Sequence, residues 1–140
     1  MKVLILHGPN LNLTGTRETE IYGTINLEDI NTRLVEHGQE LGIKVICQQS
    51  NHEGALIDAL HEAQKWAGGV VFNPGGYSHT SVALRDAVAA IDIPVIEVHM
   101  SNIYAREGFR HQSFISSVCK GKIVGFGWKS YLLGLKAIID

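Results

Sequence analysis

Short apolar runs without polar alternation constrain this chain most. VLIL at 3–6, KVIC within 44–50, GVVF within 69–76 and VIEV within 94–101 are rich in β-branched residues, and each ends in a polar or turn-forming stretch. A strand that is apolar on both faces has to be covered on both faces. That is the condition of a strand inside a parallel sheet flanked by helices. Between these runs lie segments with helical spacing. Asn26 is placed to cap LEDINTRLVEHGQELG, with Asp29 three positions on as a variant capping box. There Leu27, Ile30, Leu34 and Leu41 form the stripe and Gly42 the stop. EGALIDALHEAQKWAGG carries Leu56, Leu60, Ala63 and Ala67 on one stripe. HTSVALRDAVAAI predicts a third helix capped by Ser78 or Thr80. Residues 102–121 read as a polar segment with a short helix, KIVGFGWKS as a fifth strand, and YLLGLKAII as a last helix. Five strands alternating with helices predict one doubly wound α/β domain over 1–140.

The composition excludes several classes. Of the 140 residues 45% are hydrophobic and 19% charged, with a formal net charge of −2. This is a globular balance without the basic footprint that nucleic acid requires. No apolar run approaches the 18 residues of a membrane span, and no leader peptide precedes the first strand, so a cytoplasmic location is expected. Cys47 and Cys119 fit no zinc or CxxC pattern and read as free thiols.

Open parallel sheets bind ligands beyond the C-terminal ends of their strands, at the point where strand order reverses. That rule selects residues 7–23, 50–53, 73–79 and 99–111. In VIEVHMS, Glu97 and His99 share a face because strand side chains alternate. An unpaired carboxylate there would be costly, so Glu97 suits orienting the imidazole of His99, a natural proton shuttle. The same pattern also fits a structural histidine. Tyr22 and Arg17 lie in the loop leaving strand 1. A nearby guanidinium lowers a phenol's ordinary pKa of about 10, although an aromatic packed under a loop and a solvated arginine would look the same. Asn10 and Asn73 each follow a strand within an Asn/Gly/Pro turn, as turn formers or as neutral hydrogen-bonding groups. His79 stands at the mouth of the third helix. Arg106 and Arg110, four apart, would share a helix face and suit a carboxylate, or simply surface ion pairs.

Other chemistries lack their motifs. There is no GxGxxG after strand 1 and no GxxxxGK(S/T) anywhere. His79, His99 and His111 have no zinc spacing, and no lysine follows the pocket-building strands closely enough for Schiff-base chemistry. The remaining inventory suits proton transfer on a small polyoxygenated acid without a cofactor. A flavin or nucleotide module and a non-catalytic binder are the competing classes.

HGPNLNLTG, RETEIYG, QSNHEGALID, NPGGYSHTSVALRD, IPVIEVHMSNIYAREGFR and KIVGFGWKSYLLGL, in that order, resemble the signature blocks of type II 3-dehydroquinate dehydratase across the whole chain. The resemblance implies a flavodoxin-like three-layer fold with strand order 2-1-3-4-5 and a dodecamer built as a tetramer of trimers. It also implies reversible dehydration of 3-dehydroquinate to 3-dehydroshikimate through an enolate, with no imine, metal or other cofactor. It assigns Tyr22 as the base, Arg17 as its partner, Asn10 as holder of an enolate-stabilising water, His99 as general acid and Glu97 as its orienter. Asn73, His79, Met100, Ser101 and Arg110 match substrate-binding positions. Asp86 matches a residue that reaches the ligand from a neighbouring subunit. Departures are few: Thr14 stands where leucine is usual, Thr19 where proline is common, and Gly76, Tyr104 and Gly108 where alanine, histidine and glutamate are frequent.

Overall fold

The structure, a computed structural model, describes residues 1–16, 18–22 and 24–139, with the backbone alone for Tyr22. Strands β1 (Lys2–His7), β2 (Lys44–Gln49), β3 (Gly69–Asn73), β4 (Val95–His99) and β5 (Gly121–Val124) form one sheet. All neighbouring pairs are parallel and the order is β2-β1-β3-β4-β5, as the resemblance implied. The helices are α1 (Thr19–Tyr22), α2 (Leu27–Glu40), α3 (Glu53–Ala63), α4 (Val82–Ala90) and α5 (Lys129–Ile139).

Strand parity sorts the core into two layers. Val3, Ile5, Val71, Ile96 and Val98 face α2 and α5 and pack with Ile30, Leu34, Tyr131 and Leu135. Leu4, Leu6, Val70, Phe72 and Val95 face the other way, onto Leu56, Leu60, Leu84 and Val88 of α3 and α4. A sheet buried on both faces explains why its strands read as unbroken apolar runs. Gly134 brings α5 close: a Cβ there would lie 2.9 Å from Val71 Cγ1. That approach sets Tyr131, one turn earlier, completely under cover.

The capping of α2 follows the sequence, because Asn26 Oδ1 accepts the Asp29 N–H at 2.8 Å. On its stripe Ile30 and Leu34 are buried, whereas Leu41 is exposed just past the helix end. Helix α4 departs from expectation. Its cap is Ser81, whose Oγ accepts the Leu84 N–H at 2.9 Å. Ser78 and Thr80 belong to or border a 3-10 turn, Gly75–His79, and the Ser78 hydroxyl donates to Gly75 O instead. Strand β5 stops at Val124 rather than running on to residue 130, because Gly125 and Gly127 have φ of 97° and 60°, outside any strand. Residues 102–121 hold three short 3-10 turns, at Ile103–Ala105, Gly108–His111 and Ser116–Val118. Among the described residues, no helix is long and apolar enough to cross a membrane.

Candidate active site

The strand order reverses between β1 and β3, and a cavity of about 230 Å³ opens beyond their C-terminal ends. Its wall comes from the ends of three neighbouring strands and the turns that follow them: Asn10, Leu11 and Thr14 after β1, Asn73, Gly75 and His79 from the end of β3, and His99, Met100 and Ser101 from the end of β4, with Arg106 and Arg110 closing one side. Eight candidates from the sequence therefore meet there: Asn10, Asn73, His79, His99, Met100, Ser101, Arg106 and Arg110.

The backbone of Asn10 is left-handed, with φ of 67°, a conformation that asparagine tolerates better than most residues. A clamp from the 49–51 and 77 region holds it. Its N–H donates to Asn51 Oδ1 at 2.9 Å, Gln49 Nε2 donates to that same oxygen and to Gly8 O, both at 3.1 Å, and the Tyr77 hydroxyl donates to Asn51 O at 2.8 Å. Thr14, in the position where the resemblance puts leucine, is buried and turns its hydroxyl back to Leu11 O at 2.6 Å.

Glu97 and His99 share a face as alternation requires. His99 Nε2–H donates to Glu97 Oε2 at 2.6 Å, and the carboxylate is fully buried. Its other oxygen accepts the hydroxyls of Ser116 at 2.6 Å and Ser113 at 3.1 Å, and Lys122 Nζ stands 3.9 Å from Oε2. Burial alone would raise this carboxyl. The hydrogen bond and charge of His99, the Ser116 hydroxyl and the Lys122 charge together outweigh burial and hold it below the usual carboxylate range. Glu97 is thus an anion at neutral pH. It takes the Nε2–H of His99 and leaves Nδ1 as the nitrogen free for other chemistry.

His79 Nδ1–H donates to Gln112 O at 2.7 Å. Burial foremost, with the charges of His99 and Arg110, lowers its pKa. A neutral His79 bonded in this way offers Nε2 as an acceptor. Arg106 Nη1 donates to Ser101 Oγ at 3.1 Å, and Arg110 Nε donates to Glu107 Oε1 at 3.2 Å. The two arginines reach the same cavity without the shared helix expected for them, because Arg110 sits in a 3-10 turn and Arg106 just after another. The sequence offers both as carboxylate readers, the resemblance matches only Arg110 to a substrate-binding position, and both line the wall.

Other residues named in the sequence lie away from this wall or outside the described residues. Arg17 and the side chain of Tyr22 lie outside the described residues. Asp86 is exposed on α4, beside Arg85 at 3.0 Å, and is not part of this cavity wall. Among the described residues no three His, Cys, Asp or Glu side chains converge where a metal ion would sit. Cys47 and Cys119 are free, half-buried thiols, each pushed up to about 12 by burial.

Fold and cavity together define a doubly wound α/β protein whose site combines a carboxylate-oriented histidine, neutral amides and arginines. Its sequence matches the family described as dehydroquinase class II over residues 1–139. A 3-dehydroquinate dehydratase of Desulforudis audaxviator is 58% identical over all of this chain and 93% of its own length. One of Ruegeria pomeroyi is 57% identical over 97% of this chain and 91% of its own. The crystal structure of a type II dehydroquinase from Butyrivibrio crossotus superposes with a TM-score of 0.98 at 46% identity, covering 100% of this chain and 98% of that one. The chain belongs to the class II dehydroquinase family.

Proposed function

We propose that this protein reversibly dehydrates 3-dehydroquinate to 3-dehydroshikimate, in the shikimate pathway or in quinate breakdown, and that residues 1–140 form a single catalytic domain. The observation that carries the reading is the His99–Glu97 pair at the cavity, a proton carrier held in one orientation by a buried anion. Family membership supplies the substrate.

In this mechanism the Tyr22 phenolate, kept ionised by Arg17, takes the proton from the carbon beside the ketone. The C–H electrons move into an enolate, and a water held by Asn10 stabilises its oxygen. The enolate then collapses to a double bond, the C1–O bond breaks, and the departing hydroxyl takes a proton from His99 and leaves as water. Because Nε2 of His99 is engaged by Glu97, Nδ1 carries the transferred proton. Arg110 and the Met100–Ser101 edge grip the substrate carboxylate and ring hydroxyls, and Asn73 and His79 bind the remaining oxygens. A neutral His79 accepts a substrate hydroxyl at Nε2, in keeping with its bond to Gln112 O. The chemistry needs no cofactor.

Asp86 would reach the site of a neighbouring subunit in a trimer, four of which make a cytoplasmic dodecamer. Exposed apolar side chains support an interface on this side. Val82, 54% exposed, stands one turn from Asp86 on α4. Phe109, 60% exposed, lies edge-on to His79.

The test is turnover in deuterated water. His99→Ala should still exchange the substrate proton beside the ketone while dehydrating slowly, and Tyr22→Phe should lose both reactions. Dehydration at the wild-type rate in either variant would remove that residue from its role.

A further inference from the structure

On the opposite face of the sheet from Glu97, a second buried polar chain reaches the same cavity. Val3, Ile5 and His7 share a face of β1, and His7 therefore points into the layer between the sheet and helices α2 and α5. Its Nε2 lies 2.8 Å from Asn31 Oδ1 and its Nδ1 2.9 Å from the Tyr131 hydroxyl. That hydroxyl lies 2.9 Å from Asn73 Nδ2, and Asn73 Oδ1 accepts the Gly75 N–H at 3.0 Å. His7 and Tyr131 are 0% exposed and Asn73 3%. None of these bonds involves an ion, and neither His7 nor Tyr131 belongs to the reaction described above.

One group sets the direction of the whole chain. The backbone N–H of Gly75 can only donate, so the atom of Asn73 facing it is the oxygen. The Asn73 nitrogen then faces Tyr131 and donates to it. The Tyr131 oxygen has accepted, and its own proton goes to the remaining neighbour, Nδ1 of His7. An accepting Nδ1 places the proton of a neutral imidazole on Nε2, where Asn31 Oδ1 receives it. Every member is satisfied in this arrangement, and reversing any one would set donor against donor in a buried site. Burial, opposed only by the Asn31 bond, lowers His7 to about 4, so it is neutral over the physiological range. The Asn73 amide cannot flip without breaking the chain. Its second Nδ2–H is the donor left for a ligand oxygen.

We propose that His7 and Tyr131 are positioning residues that lock the Asn73 amide with its nitrogen available to a substrate oxygen. The inference rests on the reading that this cavity takes 3-dehydroquinate. Asn31 completes the chain on α2, and the whole forms a second polar support beside the Glu97–His99 pair. An oxygen acceptor on the ligand is favoured at this point of the cavity, and a hydroxyl there is bound through its lone pair.

Two measurements test it. Nitrogen-15 NMR of the assembled wild-type protein should find His7 neutral, protonated at Nε2 and bare at Nδ1. The opposite tautomer or an imidazolium at neutral pH would overturn the assignment without reference to activity. Steady-state kinetics with 3-dehydroquinate should show KM raised about five- to tenfold in Tyr131→Phe and His7→Leu, the effect of about one lost or misdirected hydrogen bond. The kcat per folded site should change little. His7→Gln, whose amide can accept from Tyr131 and donate to Asn31, should restore most of the affinity. A merely structural role would lower the fraction of active enzyme and leave KM unchanged; an unchanged KM in Tyr131→Phe refutes the proposal. Absence of turnover in the wild type would instead refute the proposed reaction, and the His7 tautomer would still decide the direction of the chain.

Discussion

His7→Gln offers a quantitative test of the buried polar chain through acid stability. In the folded protein burial lowers His7 from an ordinary 6.5 to about 4, with the Asn31 hydrogen bond acting in the opposite sense. Above pH 6.5 the residue is neutral in both folded and unfolded chains, and its contribution to stability does not depend on pH. As pH falls below 6.5 the unfolded chain takes up a proton that the folded chain refuses, so stability is lost. The loss grows until pH reaches about 4 and then levels off. The shift corresponds to about 3 kcal/mol over the full window, and to roughly 2–3 kcal/mol between pH 7 and 4.5. Glutamine keeps the donor and the acceptor but does not titrate, so that component should vanish in the variant. Glu97 and His79, both lowered in the fold, also weaken the protein as acid is added, but they are common to both proteins and cancel in the comparison. The assay is urea denaturation followed by fluorescence of Trp66 and Trp128, at one protein concentration and at pH 7 and 4.5. Wild type should lose about 2–3 kcal/mol more than His7→Gln over that interval. Equal losses would refute a neutral, buried His7.

Other perturbations separate the remaining parts of the site. Glu97→Gln replaces an acceptor-only group with one that must set an N–H against either His99 or the two serines, and should cost roughly 1–3 kcal/mol in denaturation. It should also lower kcat with little change in KM. His99→Ala should lower kcat on the order of 10²–10⁴-fold, the usual worth of a positioned proton donor, as read by product absorbance. Asn10→Gly keeps the left-handed backbone and removes only the side chain, so a fall in kcat with unchanged thermal stability would assign the effect to the amide; Asn10→Ala should in addition lose about 1–2 kcal/mol of stability. Ser81→Ala should cost about 1 kcal/mol in denaturation through loss of the α4 cap, with no change in KM.

The Glu97–His99 pair was legible in the sequence because two-residue alternation needs no knowledge of the rest of the chain. The cavity was legible too, since a parallel sheet dictates at which strand ends polar turns converge. His7 was not. It stands at the border of an apolar run and a turn-rich segment, and parity with Val3 and Ile5 marks it as inward-facing, but nothing local ties it to Tyr131, 124 residues away. The α4 cap was missed for the opposite reason. SHTS holds three capping side chains within four residues, and only the 3-10 turn that engages Ser78 leaves Ser81 in place. Strand β5 was overextended because the apolar character of GFGW continues the pattern, whereas the positive φ of its two glycines ends the strand.

The most direct test of the central claim is ultraviolet absorbance after 3-dehydroquinate is added to metal-stripped protein, repeated after borohydride treatment in the presence of substrate. The product carries a conjugated double bond that the substrate lacks. The account predicts a rise of the same rate under both conditions, which is dehydration without metal or imine. No rise in a correctly assembled sample, or inactivation by borohydride, would contradict it.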